Sequence, residues 1–243
     1  MSTTSTQSLW EDHKFLVKIT GDGSPSLKYL GSEHDESMHH SGGAWSETDY
    51  IYGNALRAGM DQGARTVLSV GLGLAYNEML SVKLALERNI EILLHSYEKD
   101  NFLSEHFSDF IKNPNDEVYK SILGFVNAQK PQELILEKLR GMLRKEDFII
   151  LGPLNLENIL RRYQVILYDA FSSKATPELW REDFLNEFLR KAADDKCIVS
   201  TYACTGSLKQ SLKAQGFQVH ERLGFQGKRS SLIGNRGFNL TPD

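Results

Sequence analysis

The spacing of apolar positions changes character near residue 65. Before it, two short runs, Phe15-Leu-Val-Lys-Ile19 and Ser26-Leu-Lys-Tyr-Leu30, flank the turn-forming segment Thr20-Gly-Asp-Gly-Ser-Pro25, and a second turn signal follows at Ser41-Gly-Gly43. That pattern predicts a small β-hairpin and then a loop. From Arg65 onward, short β-branched runs alternate with helix-length segments. Strands are expected at 66–70, 91–97, 147–151, 164–168 and 197–201, with two terminal strands at 217–223 and 231–233. Between them the pattern predicts helices at 75–87, a long helical excursion over 101–145, another short helix before 164, and helices at 177–193 and 207–214. Pro177 suits a helix opening and Gly216 a left-handed stop.

Strand–helix alternation of this kind is the signature of βαβ units and a parallel sheet, so a Rossmann-like, doubly wound α/β fold is expected. Five parallel strands and a terminal antiparallel hairpin make a mostly parallel seven-stranded sheet, with the small β-hairpin ahead of it. The natural division is 1–55, hairpin and loop, and 56–243, the α/β domain. A length of 243 residues suits one large core.

Composition narrows the class only a little. Hydrophobic residues at 40% and charged residues at 25% describe an ordinary folded chain. The polar N-terminus and the lack of a long apolar run read as a cytoplasmic protein without a membrane span. Cys197 and Cys204 are too few for a disulfide framework or metal set and read as buried thiols. A net charge of −4 argues against gross attraction to nucleic acid. A local basic stretch nevertheless runs through Lys209, Lys213, Arg222, Lys228, Arg229 and Arg236. It reads equally as a solvated face or an RNA contact.

Chemistry is sought at the carboxyl ends of the parallel strands, where open α/β sheets bind ligands. The first strand runs into Gly71-Leu-Gly73, where a missing Cβ allows a tight turn and close approach of a ligand. The second ends at Glu98, a carboxylate suited to ribose hydroxyls, and the fourth at Asp169. Together these describe an adenosine-type ligand with a carboxylate beside its reactive end. Tyr76 stands where a dinucleotide fingerprint needs its third glycine, which disfavours NAD, and neither a P-loop nor a nucleophile elbow is present. His34, His39 and His40 share one loop without a second ligand cluster, so no metal is expected.

Val70-Gly-Leu-Gly-Leu-Ala-Tyr-Asn77, Tyr97-Glu-Lys99 and Tyr168-Asp-Ala-Phe-Ser-Ser-Lys-Ala-Thr-Pro-Glu-Leu-Trp180 resemble the methyltransferase domain of the bifunctional tRNA wobble-uridine modification enzyme MnmC. Glu36-Ser-Met-His39, Thr201-Tyr202, Ala214-Gln-Gly-Phe217 and Gly227-Lys-Arg229 extend the match over about residues 26–234. The resemblance implies a class I methyltransferase using S-adenosyl-L-methionine, which converts the 5-aminomethyl group of uridine 34 in tRNA to methylaminomethyl. It implies cofactor contacts at Gly71, Gly73, Asn77, Glu98 and Met38, Asp169 facing the acceptor amine, and substrate contacts at Phe171, Tyr202, Lys228 and Arg229, with Trp180 as a further aromatic. Lacking the family's flavin-dependent domain, the chain reads as a stand-alone form whose partners are tRNA and a separate flavin-dependent oxidoreductase acting upstream. It departs from the family pattern at Ser69 (usually acidic), Ala75 (usually Gly) and Gly152-Pro153 (usually Gly-Asp), where Asn155 is the candidate replacement. Two other readings fit the same residues: methylation of a small-molecule or protein amine, and a non-catalytic S-adenosylmethionine-binding protein.

Overall fold

In the computed structural model, which describes residues 9–30, 37–127, 131–227 and 230–240, β1 (Phe15–Ile19) and β2 (Pro25–Tyr29) form an antiparallel hairpin. Helix α1 (Ala44–Thr48) continues through a π-helical turn (Asp49–Gly53) into α2 (Asn54–Asp61). The α/β part follows as β3 (Thr66–Val70), α3 (Tyr76–Arg88), β4 (Leu93–Tyr97), α4 (Asn101–Lys112), α5 (Glu117–Val126), α6 (Glu133–Lys145), β5 (Phe148–Leu151) and β6 (Tyr163–Tyr168). A 3-10 turn (Pro177–Trp180), α7 (Glu182–Ala192), β7 (Ala193–Thr201), α8 (Gly206–Ala214), β8 (Gln218–Leu223) and β9 (Ser230–Arg236) complete it. Among the described residues no helix is long and apolar enough to cross a membrane.

The seven strands lie in the order β5-β4-β3-β6-β7-β9-β8, the first five parallel and β9 antiparallel to both neighbours. Side-chain alternation explains why this sheet needs helices on both faces. Val67 of β3 and Val165 and Leu167 of β6 enter one apolar cluster, with α2 to α6. Leu68, Val70, Ile166 and Tyr168 enter the other, with α7 and α8. Strands buried on both sides are largely apolar, and here the polar Ser69, His95 and Ser96 are buried among them.

Caps set the helix starts. Asp100 accepts from Phe102 N, Asp116 from Val118 N and Tyr119 N, and Thr205 from Leu208 N, each satisfying amides left open by the first turn. Gly216, with φ +79°, follows α8 as expected.

Three expectations need correction. The long excursion is three helices, but the short helix expected before β6 is absent; residues 152–162 are turns. There Asn155 Oδ1 accepts from Glu157 N and Asn158 N, an arrangement that competes with helix. The single helix expected at 177–193 breaks at Arg181, which is extended (φ −71°, ψ 143°). Finally, only Cys197 is fully buried; Cys204 is half-buried.

Asp22 ties the hairpin to α1. Its Oδ1 accepts from Thr20 Oγ1, Ser24 N and Ser24 Oγ, and its Oδ2 from Ser46 N and Ser46 Oγ. Burial opposes its ionisation, yet the donors of Ser24 and Ser46 outweigh burial and hold the carboxyl well below its usual range. Asp22→Asn keeps the shape but replaces one acceptor oxygen by an amide donor facing the Ser46 donors. It is expected to cost about 1–2 kcal/mol, read as a lower urea midpoint at neutral pH.

Candidate active site

The strand order reverses between β3 and β6, and there the carboxyl ends of the two strands open a crevice. Gly71 carries the chain out of β3 at φ +96°. A Cβ on it would lie 2.6 Å from the carbonyl oxygen of Asp169, so only glycine lets the two strand ends meet. Gly73 follows at φ +51°, and its position faces Met38 Sδ, 3.4 Å from where a Cβ would stand. Ala75 then takes the left-handed conformation (φ 59°) just ahead of α3, where the resembling family has glycine.

Around this turn lies a cavity of about 320 Å³. Met38, Gly71, Gly73, Asn77, Glu98, Asp169, Phe171 and Tyr202, drawn from distant parts of the sequence, all line it. Glu98 Oε2 accepts from Gly73 N at 3.0 Å and Oε1 from Asp100 N at 2.9 Å, so one carboxylate shapes the glycine turn and faces the cavity. Burial raises its pKa, and those amides partly offset the rise.

Asp169 is gripped at both oxygens: Tyr52 Oη donates to Oδ1 at 2.5 Å and Asn77 Nδ2 to Oδ2 at 3.1 Å. Its pKa is nonetheless raised well above the usual value, first by burial and further by the charges of Glu47 and Glu78, which outweigh the two donors. Asn77 Oδ1 is buried without a hydrogen-bond partner. Glu47 also lines the cavity; its Oε2 accepts from His40 N at 2.7 Å, and burial raises its pKa. His39, half-buried with Nδ1 3.0 Å from Ser26 Oγ, is pushed down to about 4 by desolvation, against the pull of Asp22, and is neutral near pH 7. Among the described residues, Glu47, Glu98 and Asp169 thus face the cavity against one Lys or Arg side chain, Lys99, whose Nζ sits 5.6 Å from the Phe171 ring centre. The wall attracts cations.

Other expectations fall differently. Trp180 is a core residue, 4% exposed, with Nε1 donating to Phe171 O at 2.7 Å and its ring edge-on to Tyr168, so it is no stacking platform. Asn155 is exposed and its Oδ1 is spent on its own turn; Leu154 lines the cavity beside it instead. Lys228 and Arg229 lie outside the described residues. Of the other basic residues near the C-terminus, Lys209 pairs with Glu221 at 2.9 Å, and Arg236 donates to Gln215 O and Asp194 O while lying over Phe217. Tyr52, Glu47 and Leu154 were not foreseen. The π-helical turn that positions Tyr52 breaks the 3.6-residue phase from which buried faces are read, and such turns concentrate at functional sites.

The cavity fits S-adenosylmethionine on three observations: glycines packed where a Cβ would collide, a buried unpartnered Asn77 oxygen suited to an ammonium, and Glu98 at the end of β4. Comparison with known proteins agrees. Residues 133–237 match the model of a family described as S-adenosyl-L-methionine-dependent methyltransferases. An uncharacterized protein of Methanocaldococcus jannaschii is 27% identical over 241 residues, 97% of this chain and 63% of that protein. The tRNA 5-methylaminomethyl-2-thiouridine biosynthesis bifunctional protein MnmC of Campylobacter hominis is 24% identical over 203 residues, 77% of this chain and 28% of that protein. The chain therefore spans less than two thirds of either relative. The crystal structure of MnmC2 from Aquifex aeolicus superposes with a TM-score of 0.70 at 22% identity, covering 94% of this chain and 72% of that one, and supports the fold. The fold is therefore Rossmann-like, its C-terminal part (133–237) matches a family described as S-adenosyl-L-methionine-dependent methyltransferases, and MnmC proteins are among the chain's relatives.

Proposed function

We propose that the protein methylates the primary amine of 5-aminomethyl-(2-thio)uridine at position 34 of tRNA. The observation that carries this reading is the convergence of Glu47, Glu98 and Asp169 on one cavity, a wall that selects cationic and amine ligands over anionic ones. When bound, S-adenosylmethionine supplies an electrophilic methyl group on a sulfonium. Glu98 would hold the ribose hydroxyls, Gly71, Gly73 and Met38 would shape the methionine end, and Asn77 Oδ1 would accept from the amino group. Asp169, oriented by Tyr52 and Asn77, accepts an N–H of the acceptor amine and so aims the nitrogen lone pair, then stabilises the ammonium that forms. Phe171 and Tyr202 provide aromatic faces for an unstacked base, and Lys228 and Arg229, outside the described residues, are the cations proposed for its phosphate backbone.

In this reading the hairpin and loop of 1–55 contribute Met38, His39, His40, Glu47 and Tyr52 to the site of a methyltransferase domain at 56–243. tRNA modification places the protein in the cytoplasm, and a flavin-dependent oxidoreductase is the class of enzyme that supplies the amine. One observation favours a smaller acceptor: Lys209 and Arg236, from the basic stretch, are engaged within the fold.

The test is transfer of labelled methyl from S-adenosylmethionine to bulk tRNA with and without 5-aminomethyluridine, beside free primary amines and denatured protein. Label is expected in the wobble nucleoside of the aminomethylated tRNA. Measurable cofactor binding with label only on free amines or protein would replace tRNA as the acceptor, and binding with no transfer to any of them would leave a non-catalytic binder.

A further inference from the structure

Resting on the reading of an amine acceptor, we propose that Glu47 is the general base that takes a proton from the acceptor ammonium, leaving Asp169 to orient the nitrogen. A primary alkylamine is protonated at neutral pH, with a pKa near that of lysine, about 10. It has no lone pair to attack with until one proton leaves. The two carboxylates nearest the acceptor end are not equivalent. Both oxygens of Asp169 already accept a hydrogen bond, from Tyr52 and Asn77. Glu47 accepts only at Oε2, from the backbone of His40, and among the described residues its Oε1 makes no hydrogen bond while the side chain lines the cavity. Glu47 is also close enough for its charge to act on both Tyr52 and Asp169. An ammonium beside Asp169 therefore meets a second carboxylate with an oxygen to spare.

The proton passes from nitrogen to Glu47 Oε1, giving a neutral amine and a carboxylic acid. The amine nitrogen then forms the C–N bond as the C–S bond breaks, giving a thioether and a methylated ammonium, and Glu47 returns its proton to solvent. The titratable groups that line the cavity with Glu47 are His39 and His40 in the preceding loop, Tyr52 in the π turn, Tyr76 in α3, Tyr97, Glu98 and Lys99 at the end of β4, Asp169 after β6 and Tyr202 after β7. His39 is neutral, so the carboxylates dominate the local field.

The experiment is kcat against pH for wild type and Glu47→Gln at saturating cofactor, with cofactor affinity measured separately. Glu47→Gln is expected to be slower by about 100-fold near pH 7 and to recover to within a few-fold near pH 10, where the ammonium loses its proton unaided, with cofactor affinity changed by no more than a few-fold. A loss that is the same at every pH, or no loss, overturns the assignment. Should Glu47→Gln fail to fold, Glu47→Asp with a weakly basic aminooxy acceptor replaces it. That acceptor is neutral at pH 7 and needs no base, so the variant must lag on the alkylamine by at least about 10-fold more than on the aminooxy acceptor; equal lag on both overturns the assignment. Wild type that transfers methyl to no amine at any pH refutes instead the amine reading on which the inference stands.

Discussion

Asp169→Ala is expected to lower kcat for amine methylation by about 10²–10⁴-fold while changing cofactor affinity by no more than a few-fold. The side chain sits where the ends of β3 and β6 meet, and its geometry is fixed on both sides by Tyr52 and Asn77. Truncation leaves Gly71 and the turn intact, because the contact that requires glycine there is to the Asp169 backbone, which alanine keeps. What disappears is the acceptor that aims the nucleophile. Orientation of this kind contributes to the transition state far more than to binding, so the loss falls on kcat.

Raising the pH separates this variant from Glu47→Gln. A missing orienter is not replaced by hydroxide, so Asp169→Ala should stay slow near pH 10, where the Glu47 variant recovers. Single-turnover measurement with saturating cofactor reads the chemical step directly. Near-normal turnover for Asp169→Ala would remove Asp169 from the mechanism and leave the acidic wall as a binding feature only.

Most of this site was legible because parallel sheets put chemistry at strand ends. Gly71, Glu98 and Asp169 each stand directly after a strand, and Gly73 two residues beyond Gly71, so finding the strands located the residues. The strands were found because they are short, largely apolar runs, buried on both faces, that alternate with helix-length segments. What stayed hidden depends on distance and phase. Tyr52 reaches Asp169 across 117 positions, through a π-helical turn that spoils helical periodicity. Trp180 stands one residue before an extended Arg181, and that break turns its ring into the core beside Tyr168. Asn155 carries the right functional group for a cofactor contact but satisfies amides of its own turn, a local use that sequence spacing does not distinguish from a distant one.

Glu78→Gln is expected to stabilise the protein by about 3 kcal/mol at pH 8 and by less than about 1 kcal/mol near pH 5. Glu78 is completely buried in the first turn of α3, behind the cavity, where Ser96 Oγ donates to its Oε1 at 2.6 Å and Oε2 has no partner. Burial pushes its pKa up to about 7 from an ordinary 4.5, against the Ser96 hydroxyl. Between those two values the folded chain holds a proton that the unfolded chain has released, so stability falls as pH rises through this window and levels off above it. Glutamine keeps the acceptor for Ser96 and cannot ionise, so the variant escapes the loss. Ser69, which pairs with Ser96 across β3 and β4, lies beside it, and its buried hydroxyl lacks a partner that the new amide would supply. Urea midpoints for both proteins from pH 5 to 8 should therefore diverge with rising pH. Parallel curves would mean that Glu78 is ionised throughout, with its charge balanced by the serines. The position matters for catalysis as well, because Glu78 contributes to the raised pKa of Asp169. The same substitution should make Asp169 more acidic, shifting the acid limb of the rate profile to lower pH and linking a stability measurement to the chemistry of the cavity.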